Sequence, residues 1–350
     1  MKPTFIRMSL LLVLPALLAA GLLGCMKRKE TITVARDGGV TMRVECETDA
    51  GDEFTNGDAM PSEEDGWTVK QWTVTERNDA TGEIKEHYQL AAEKTFPPRA
   101  RLADRFAPAK DNHAELYLQF PTTLKMEERP DGTYHHFRRV YPVRREWGRL
   151  EAVRKEIFKP VDERVHDKKV EEMTQEDRLL VLKALVRYEA AKMTTFARSA
   201  FLEVSPDAPQ DGWLKVYAAL QTVERESDYD RLASLLASPE EEDRTQALEA
   251  EAAAFESRTM GRMSAALADA CGYSERQVAR FTERYHYHKQ YQEISEDLGD
   301  ESFEITVEMP GEIVGTNADE VEGNQARWKF DAQVLRDRDF DSMVTSRVAK

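Results

Sequence analysis

The chain has 350 residues, with 65 acidic against 49 basic side chains and a formal net charge of −16 at pH 7. This balance excludes a surface built to grip nucleic acid or anionic lipid headgroups through charge. The length allows one large domain or two smaller ones.

The first residues divide into three parts. Lys2 and Arg7 make a positive start, residues 8–23 are almost all apolar, and Gly24-Cys25 ends the run before the charged "MKRKE". That order describes a secretory signal over residues 1–24. The apolar run is too short for a transmembrane helix of about 20 residues. The end Leu22-Leu23-Gly24-Cys25 resembles the lipobox of bacterial lipoproteins. The resemblance implies cleavage before Cys25, diacylglycerol on its sulfur and acylation of the new amino end. Acyl chains that each gain about 0.8 kcal/mol per buried CH₂ hold a protein firmly. The expected partner is therefore a membrane, reached through Cys25, with Met26 in the second position pointing to the outer membrane and the periplasm. Loss of Lys2 and Arg7 takes the formal charge to −18.

Next come strands. In "ETITVARDGGVTMRVECETD", Ile32 and Val34, then Val40, Met42, Val44 and Cys46, alternate with polar residues around Asp37-Gly38-Gly39. Period-two apolarity about a D-G-G turn predicts a hairpin. Residues 49–66 read as a polar loop. A second hairpin is predicted from "WTVKQWTVTER" and "IKEHYQLAAEK", joined at "NDATGE". Trp67 and Trp72 are five residues apart and fall on opposite faces, one toward the core and one outward. After Pro97-Pro98 a short helix is expected. "AELYLQF" and "LKMEERPDGTYHHFRRVYPV" read as further strands, the last two joined at Pro130-Asp131-Gly132.

Near residue 144 the period changes. Residues 144–158 form the first predicted helix. Thr174 opens the next, with Leu182, Leu185, Met193, Phe196, Ala197, Ala200 and Phe201 at helical spacing. Trp213, Val216, Tyr217 and Leu220 mark a third. Ser238-Pro239-Glu240-Glu241 supplies an N-cap, a first-turn proline and a capping-box acid for a fourth, which stops at Gly272. Ser274-Glu275-Arg276-Gln277 opens the fifth, carrying Phe281, Tyr285, His288 and Ile294 on one face. Period two then returns through "SFEITVEMPGEIVGTNADEVEGNQARWKFDAQV".

Short strands at a chain end are marginal alone, so the C-terminal strands are expected to pair with the N-terminal ones. The predicted fold is α+β: an antiparallel β domain built from both ends, with a long α-helical bundle inserted. The segments are 1–24 (signal), 25–143 (N-terminal β part), 144–299 (helices) and 300–350 (C-terminal β part).

Residues 309–318, "MPGEIVGTNA", followed by Gly323-Asn324 and the strand with Trp328, resemble the C-terminal signature of the LppM-type bacterial lipoprotein domain. "TITV" at 31–34 with Asp37-Gly38-Gly39, just after Cys25, is similar to that family's opening hairpin. The resemblance implies a fold akin to envelope modules that bind lipids or other ligands.

Candidate chemistry is sparse. There is no GxSxG, P-loop, HExxH or EF-hand spacing, and no cofactor or metal is expected. His286-x-His288 lies in a predicted helix, where its rings diverge, so His288 is expected in the core and His286 at the surface. His135 and His136 are strand neighbours on opposite faces. Cys46 and Cys271 read either as a disulfide or as two buried thiols. Arg138-Arg139 and Arg144-Arg145 form the one basic cluster, read as salt bridges to acids or as a contact for lipid phosphates or an acidic partner. The expected function is a lipid-anchored, non-catalytic envelope module for a lipid, a peptide or an envelope protein. The alternative is an assembly scaffold without a small ligand.

Overall fold

The apolar alternation around Asp37-Gly38-Gly39 does build a hairpin. In the computed structural model, β1 (Lys27–Val34) pairs with β2 (Val40–Thr48) in the register Lys27↔Glu47 to Val34↔Val40. Gly38 takes a left-handed φ of 86°, and Asp37 Oδ1 accepts a hydrogen bond from the Gly39 amide at 2.9 Å. The structure describes residues 26–49, 58–77, 84–106, 113–166, 172–205, 210–225 and 241–350, with Phe54, Lys168, Tyr229, Arg231 and Leu232. The signal segment, Cys25, the turn at 78–83 and the cap residues Ser238–Glu240 lie outside the described residues.

The chain divides into two compact units: Arg149–Gln292, and a unit made of the segments before and after it. In the second unit, β3 (Thr68–Arg77) pairs with β4 (Ile84–Phe96), and β4 pairs with β2. The free edge of β1 takes β7 (Ser302–Glu308), followed by β10 (Gln325–Asp331) and β9 (Glu320–Glu322). The order is β3-β4-β2-β1-β7-β10-β9. Both chain ends thus share one sheet, as expected. One joint departs from the predicted antiparallel arrangement: β1 and β7 run parallel, Lys27 opposite Ser302. Parallel neighbours need a long crossover, and here everything from β2 to the last helix is that connection.

A second sheet has the order β5-β6-β11-β8, from Thr122–Arg129, Gly132–Tyr141, Phe340–Ala349 and Glu312–Thr316. Pro130-Asp131 joins β5 to β6. Gly132 is required there: a Cβ would lie 2.4 Å from the Val348 carbonyl oxygen. Tyr141 ties the two sheets. Its ring centroid lies 5.8 and 5.4 Å from Phe303 and Phe330 of the first sheet, and 6.5 Å from Phe340 of the second.

Two local expectations fail. Residues 97–106 hold no helix, and Arg99 turns the chain with φ 65°. Residues 114–120 are no strand either. A single 3-10 turn at Ala114–Leu116 leads into unpaired extended chain. The alternation of Ala114, Leu116, Leu118 and Phe120 reports burial. The backbone groups bond elsewhere: Leu118 N–H to Asp58 and Phe120 N–H to the Asp104 carbonyl.

Helix α1 (Arg145–Val165) runs past its predicted end, through Pro160. An interior proline costs about 3 kcal/mol. Burial of Phe158, Val161 and Val165 against Val181, Leu185 and Tyr188 offsets it. Thr174 and Asp177 form a reciprocal capping box at the start of α2 (Gln175–Val204). Phe196, Ala197, Ala200 and Phe201 of α2 pack with Val216 and Leu220 of α3 (Gln210–Arg225), Met263 and Leu267 of α4 (Glu241–Cys271), and Phe281 and Tyr285 of α5 (Glu275–Asp297). Gly272 ends α4 in the left-handed conformation (φ 67°). At α5 the Gln277 side chain accepts from the Ser274 amide at 3.1 Å.

Candidate functional site

Strand β1 turns Arg28, Glu30, Ile32 and Val34 inward. Two charged residues therefore occupy core positions, where an unpaired charge is very costly. Other elements supply the counterions. Arg139 of β6 pairs with Glu30, and Tyr141 Oη donates to the same carboxylate at 3.1 Å. Arg139 Nε donates to Thr122 Oγ1 at 2.9 Å, and its guanidinium lies 4.7 Å from the Phe120 centroid. One NH2 of Arg28 lies 3.2 Å from Asp58 Oδ2 and 3.1 Å from Glu301 Oε2, with the Phe303 and Phe106 rings at 5.1 and 5.6 Å. Asp58 Oδ1 accepts from the Leu118 amide at 2.8 Å.

The charge states follow from burial. Burial pulls the Arg28 guanidinium down, but Glu301 and Asp58 outweigh it and hold it charged. Burial pushes Glu301 well above the usual carboxylate range, against the pull of Arg28. Arg28 and Arg139 thus face three buried carboxyl groups, those of Asp58, Glu301 and Glu30. Burial also pushes the neighbouring Cys46 thiol up to about 12, so it stays a thiol. None of the five charged residues is more than 4 % exposed. The network is closed to any substrate. Its chemistry is cohesion: it joins β1, the segment at Asp58, β6 and the head of β7.

The remaining predicted residues are placed as follows. Cys25 lies outside the described residues. Its neighbour Met26 is buried, and the Met26 carbonyl accepts from the Ser302 amide at 3.0 Å. The arginine cluster is no patch. Arg138 makes a bidentate pair with Asp341, at 3.0 and 2.7 Å. Arg139 is in the core network, and Arg144 donates to Ser295 Oγ at 2.6 Å and to the Leu116 carbonyl at 2.8 Å. Only Arg138 and Arg145 reach the surface, because the strand alternation and the turn into α1 point the other two inward. The reading as a lipid-phosphate contact is corrected accordingly.

His286 is exposed and His288 buried, with His288 Nε2 2.9 Å from Glu203 Oε1. Burial alone would raise Glu203, but hydrogen bonds from Arg284 and His288 leave it low. His135 Nε2 lies 3.1 Å from the Arg36 carbonyl, and His136 Nδ1 lies 3.1 Å from Thr345 Oγ1. Among the described residues, no three His, Cys, Asp or Glu side chains are placed to hold a metal. Cys46 and Cys271 are free thiols, not a disulfide. Trp67 is buried and Trp72 exposed. The Arg28–Glu301 network was missed in the sequence. Its one local trace is the charged pair Arg28 and Glu30 at alternate positions that continue into Ile32 and Val34.

No protein-family model matches the chain, and no curated protein matches it. Among solved structures, the NMR structure of the folded domain of the Mycobacterium tuberculosis LppM protein is similar at 8% identity, with a TM-score of 0.26. The alignment covers 94% of this chain and 92% of that one. At that TM-score the likeness assigns no function here.

Proposed function

We propose that the protein is a lipid-anchored component of the bacterial cell envelope, held at the outer membrane through Cys25 and facing the periplasm. Its body serves as a non-catalytic binding module for a lipid, a peptide or another envelope protein. The observation that carries this reading is the junction after the lipobox-like Leu22–Cys25. Met26 is buried, and β1 begins at Lys27. A lipid on Cys25 would hold the sheet unit at the membrane surface with no linker between them. Among the described residues no helix is long and apolar enough to cross a membrane, so attachment there falls to the N-terminus. The closed ionic network gives the body cohesion without offering a reactive group to solvent.

A scaffold role is the second reading. Leu202 on α2, and Leu214 and Tyr217 on α3, are 40–52% exposed, and apolar side chains of this size suit contact with a protein. Fractionation tests the anchor. Wild-type protein is expected in membranes with a mass that includes acyl chains, and Cys25→Ser in the soluble fraction. Wild-type protein without acyl mass overturns the anchor. Native mass spectrometry of the detergent-extracted protein separates a small-ligand module from a scaffold: a co-purifying lipid supports the module and counts against a scaffold without a small ligand.

A further inference from the structure

Among the described residues the two sheets end in four edge strands, and three of these are blunted. Strand β9 is three residues long and carries Glu320 and Glu322. Strand β8 is five residues long and meets β11 through a bulge. Strand β5 holds Lys125, Glu127, Glu128 and Arg129 among its eight residues. Short length, bulges and charge keep sheet edges from joining. Strand β3 uses little of this. Its ten residues, TVKQWTVTER, hold no proline or glycine, pair with β4 in unbroken register and end the seven-stranded order. Eight of the ten are exposed, and Val69 and Val74, on opposite faces, are half-buried. The outer backbone groups of β3 are therefore open to another strand.

The sequence of β3 complements itself. Alternate residues of an edge strand aim their N–H and C=O groups outward. Two antiparallel copies of β3 therefore meet about a two-fold axis that passes through a residue, whichever alternate set points out. With the axis at Thr73, Lys70 lies opposite the partner's Glu76, Trp72 opposite the partner's Val74, and Gln71 opposite the partner's Thr75. The symmetry makes each of these pairs twice. Lys70, Trp72, Val74 and Glu76 share one face of the strand, so two Trp72–Val74 pairs are flanked by two ion pairs. Opposite charges, and an aromatic beside a β-branched side chain, stabilise a ladder when they stand directly across it. An axis at Trp72 would set Lys70 against Val74, and an axis at Val74 would set Trp72 against Glu76. Lysine on an edge deters pairing in general, and the Thr73 register is the one that gives it Glu76. Both groups are free to reach: Lys70 is exposed, and Glu76, which lies 3.6 Å from His87 Nε2, keeps 72% of its side chain exposed. The strand sets Lys70 and Arg77 against Glu76, so joining two copies brings no excess of negative charge to the edge. We infer that β3 is a dimer interface, at which a second copy of this chain adds edge to edge about Thr73. Self-complementarity about a two-fold axis is what a closed dimer requires. The inference is independent of the anchor at Cys25.

Cysteine cross-linking in cells that produce the full chain tests the register. The natural cysteines remain in every variant, so wild type is the blank. Thr73→Cys puts two thiols opposite each other at the axis and is expected to give a disulfide-linked dimer on mild oxidation. Thr75→Cys, equally exposed on the same strand, leaves its thiols about 13 Å apart along the ladder and is expected to stay at the level of wild type. Adding Lys70→Glu to Thr73→Cys sets like charges opposite each other and should reduce the cross-link at least fivefold. Adding Glu76→Lys to that protein should restore it. Cross-linking of Thr73→Cys no stronger than that of Thr75→Cys overturns the inference, as does a disulfide to a different protein. Failure of the second charge reversal to restore the cross-link overturns the Thr73 register. Sedimentation of the purified wild-type chain is a measurement free of any substitution: two chains per particle are expected, and one chain per particle overturns the dimer.

Discussion

Arg28 and Glu301 stand near opposite ends of the chain, yet their side chains meet 3.1 Å apart in the core, at the parallel joint between β1 and β7. Asp58 completes the group from a third segment. Removing one member of a buried ionic group strands the others, at a cost of about 3–5 kcal/mol. Arg28→Ala is therefore expected to destabilise the sheet unit by that amount in urea titrations. Arg28→Met combined with Asp58→Asn and Glu301→Gln should recover most of the loss, because no charge is then left unpaired there. A single Arg28→Ala change within about 0.5 kcal/mol of wild type would show that the network is not holding the sheet together.

The pH dependence has a defined sign. Burial raises Glu301 above its ordinary value of 4.5. Between that value and its raised one, the folded protein binds more protons than the unfolded chain, so this group's contribution is full at low pH and lost as pH rises. Glu301→Gln keeps the neutral shape without the titration. Above pH 5, wild type should lose stability relative to Glu301→Gln, and below pH 4 the two should converge. Parallel stability curves over pH 4–8 would show that Glu301 does not titrate differently on folding.

The two helical histidines should separate cleanly. His288→Ala loses a buried ring and its contact with Glu203, and should cost about 1–3 kcal/mol. His286→Ala should stay within about 0.5 kcal/mol of wild type. Thermal melts of the two variants measure the difference, and equal losses would contradict the burial of His288 alone.

Truncation after Gly299 tests the joining of the two ends. It removes β7, which covers the edge of β1, and β11, which lies between β6 and β8. Each large apolar side chain lost, such as Phe303, Ile305, Val307 and Trp328, carries about 1.5–3 kcal/mol of burial. Their sum exceeds the ~5–15 kcal/mol that stabilises a typical domain. The truncated protein should unfold or aggregate while retaining helical circular dichroism. A cooperative, monomeric β unit ending at Gly299 would contradict the shared sheet.

Much of this molecule was legible along the chain. The turns at Asp37-Gly38-Gly39 and Pro130-Asp131-Gly132, the cap at Thr174 and the stop at Gly272 each rest on a few adjacent residues whose backbone preferences act locally, and so did the switch from period two to helical spacing and back. What depended on distant segments was not legible. Strand β11 buries Ser342, Val344 and Ser346, small or polar residues without an apolar stripe, and it is a strand because β6 and β8 supply hydrogen bonds on both sides. Residues 114–120 alternate like a strand but find no ladder partner. The burial of Arg28, Glu30 and Arg139 depends on the β1–β7 joint and on β6, which bring their counterions within reach. Hydrophobic period and turn chemistry are properties of a short stretch. Pairing partners and the burial of charge belong to residues that meet only when the chain folds.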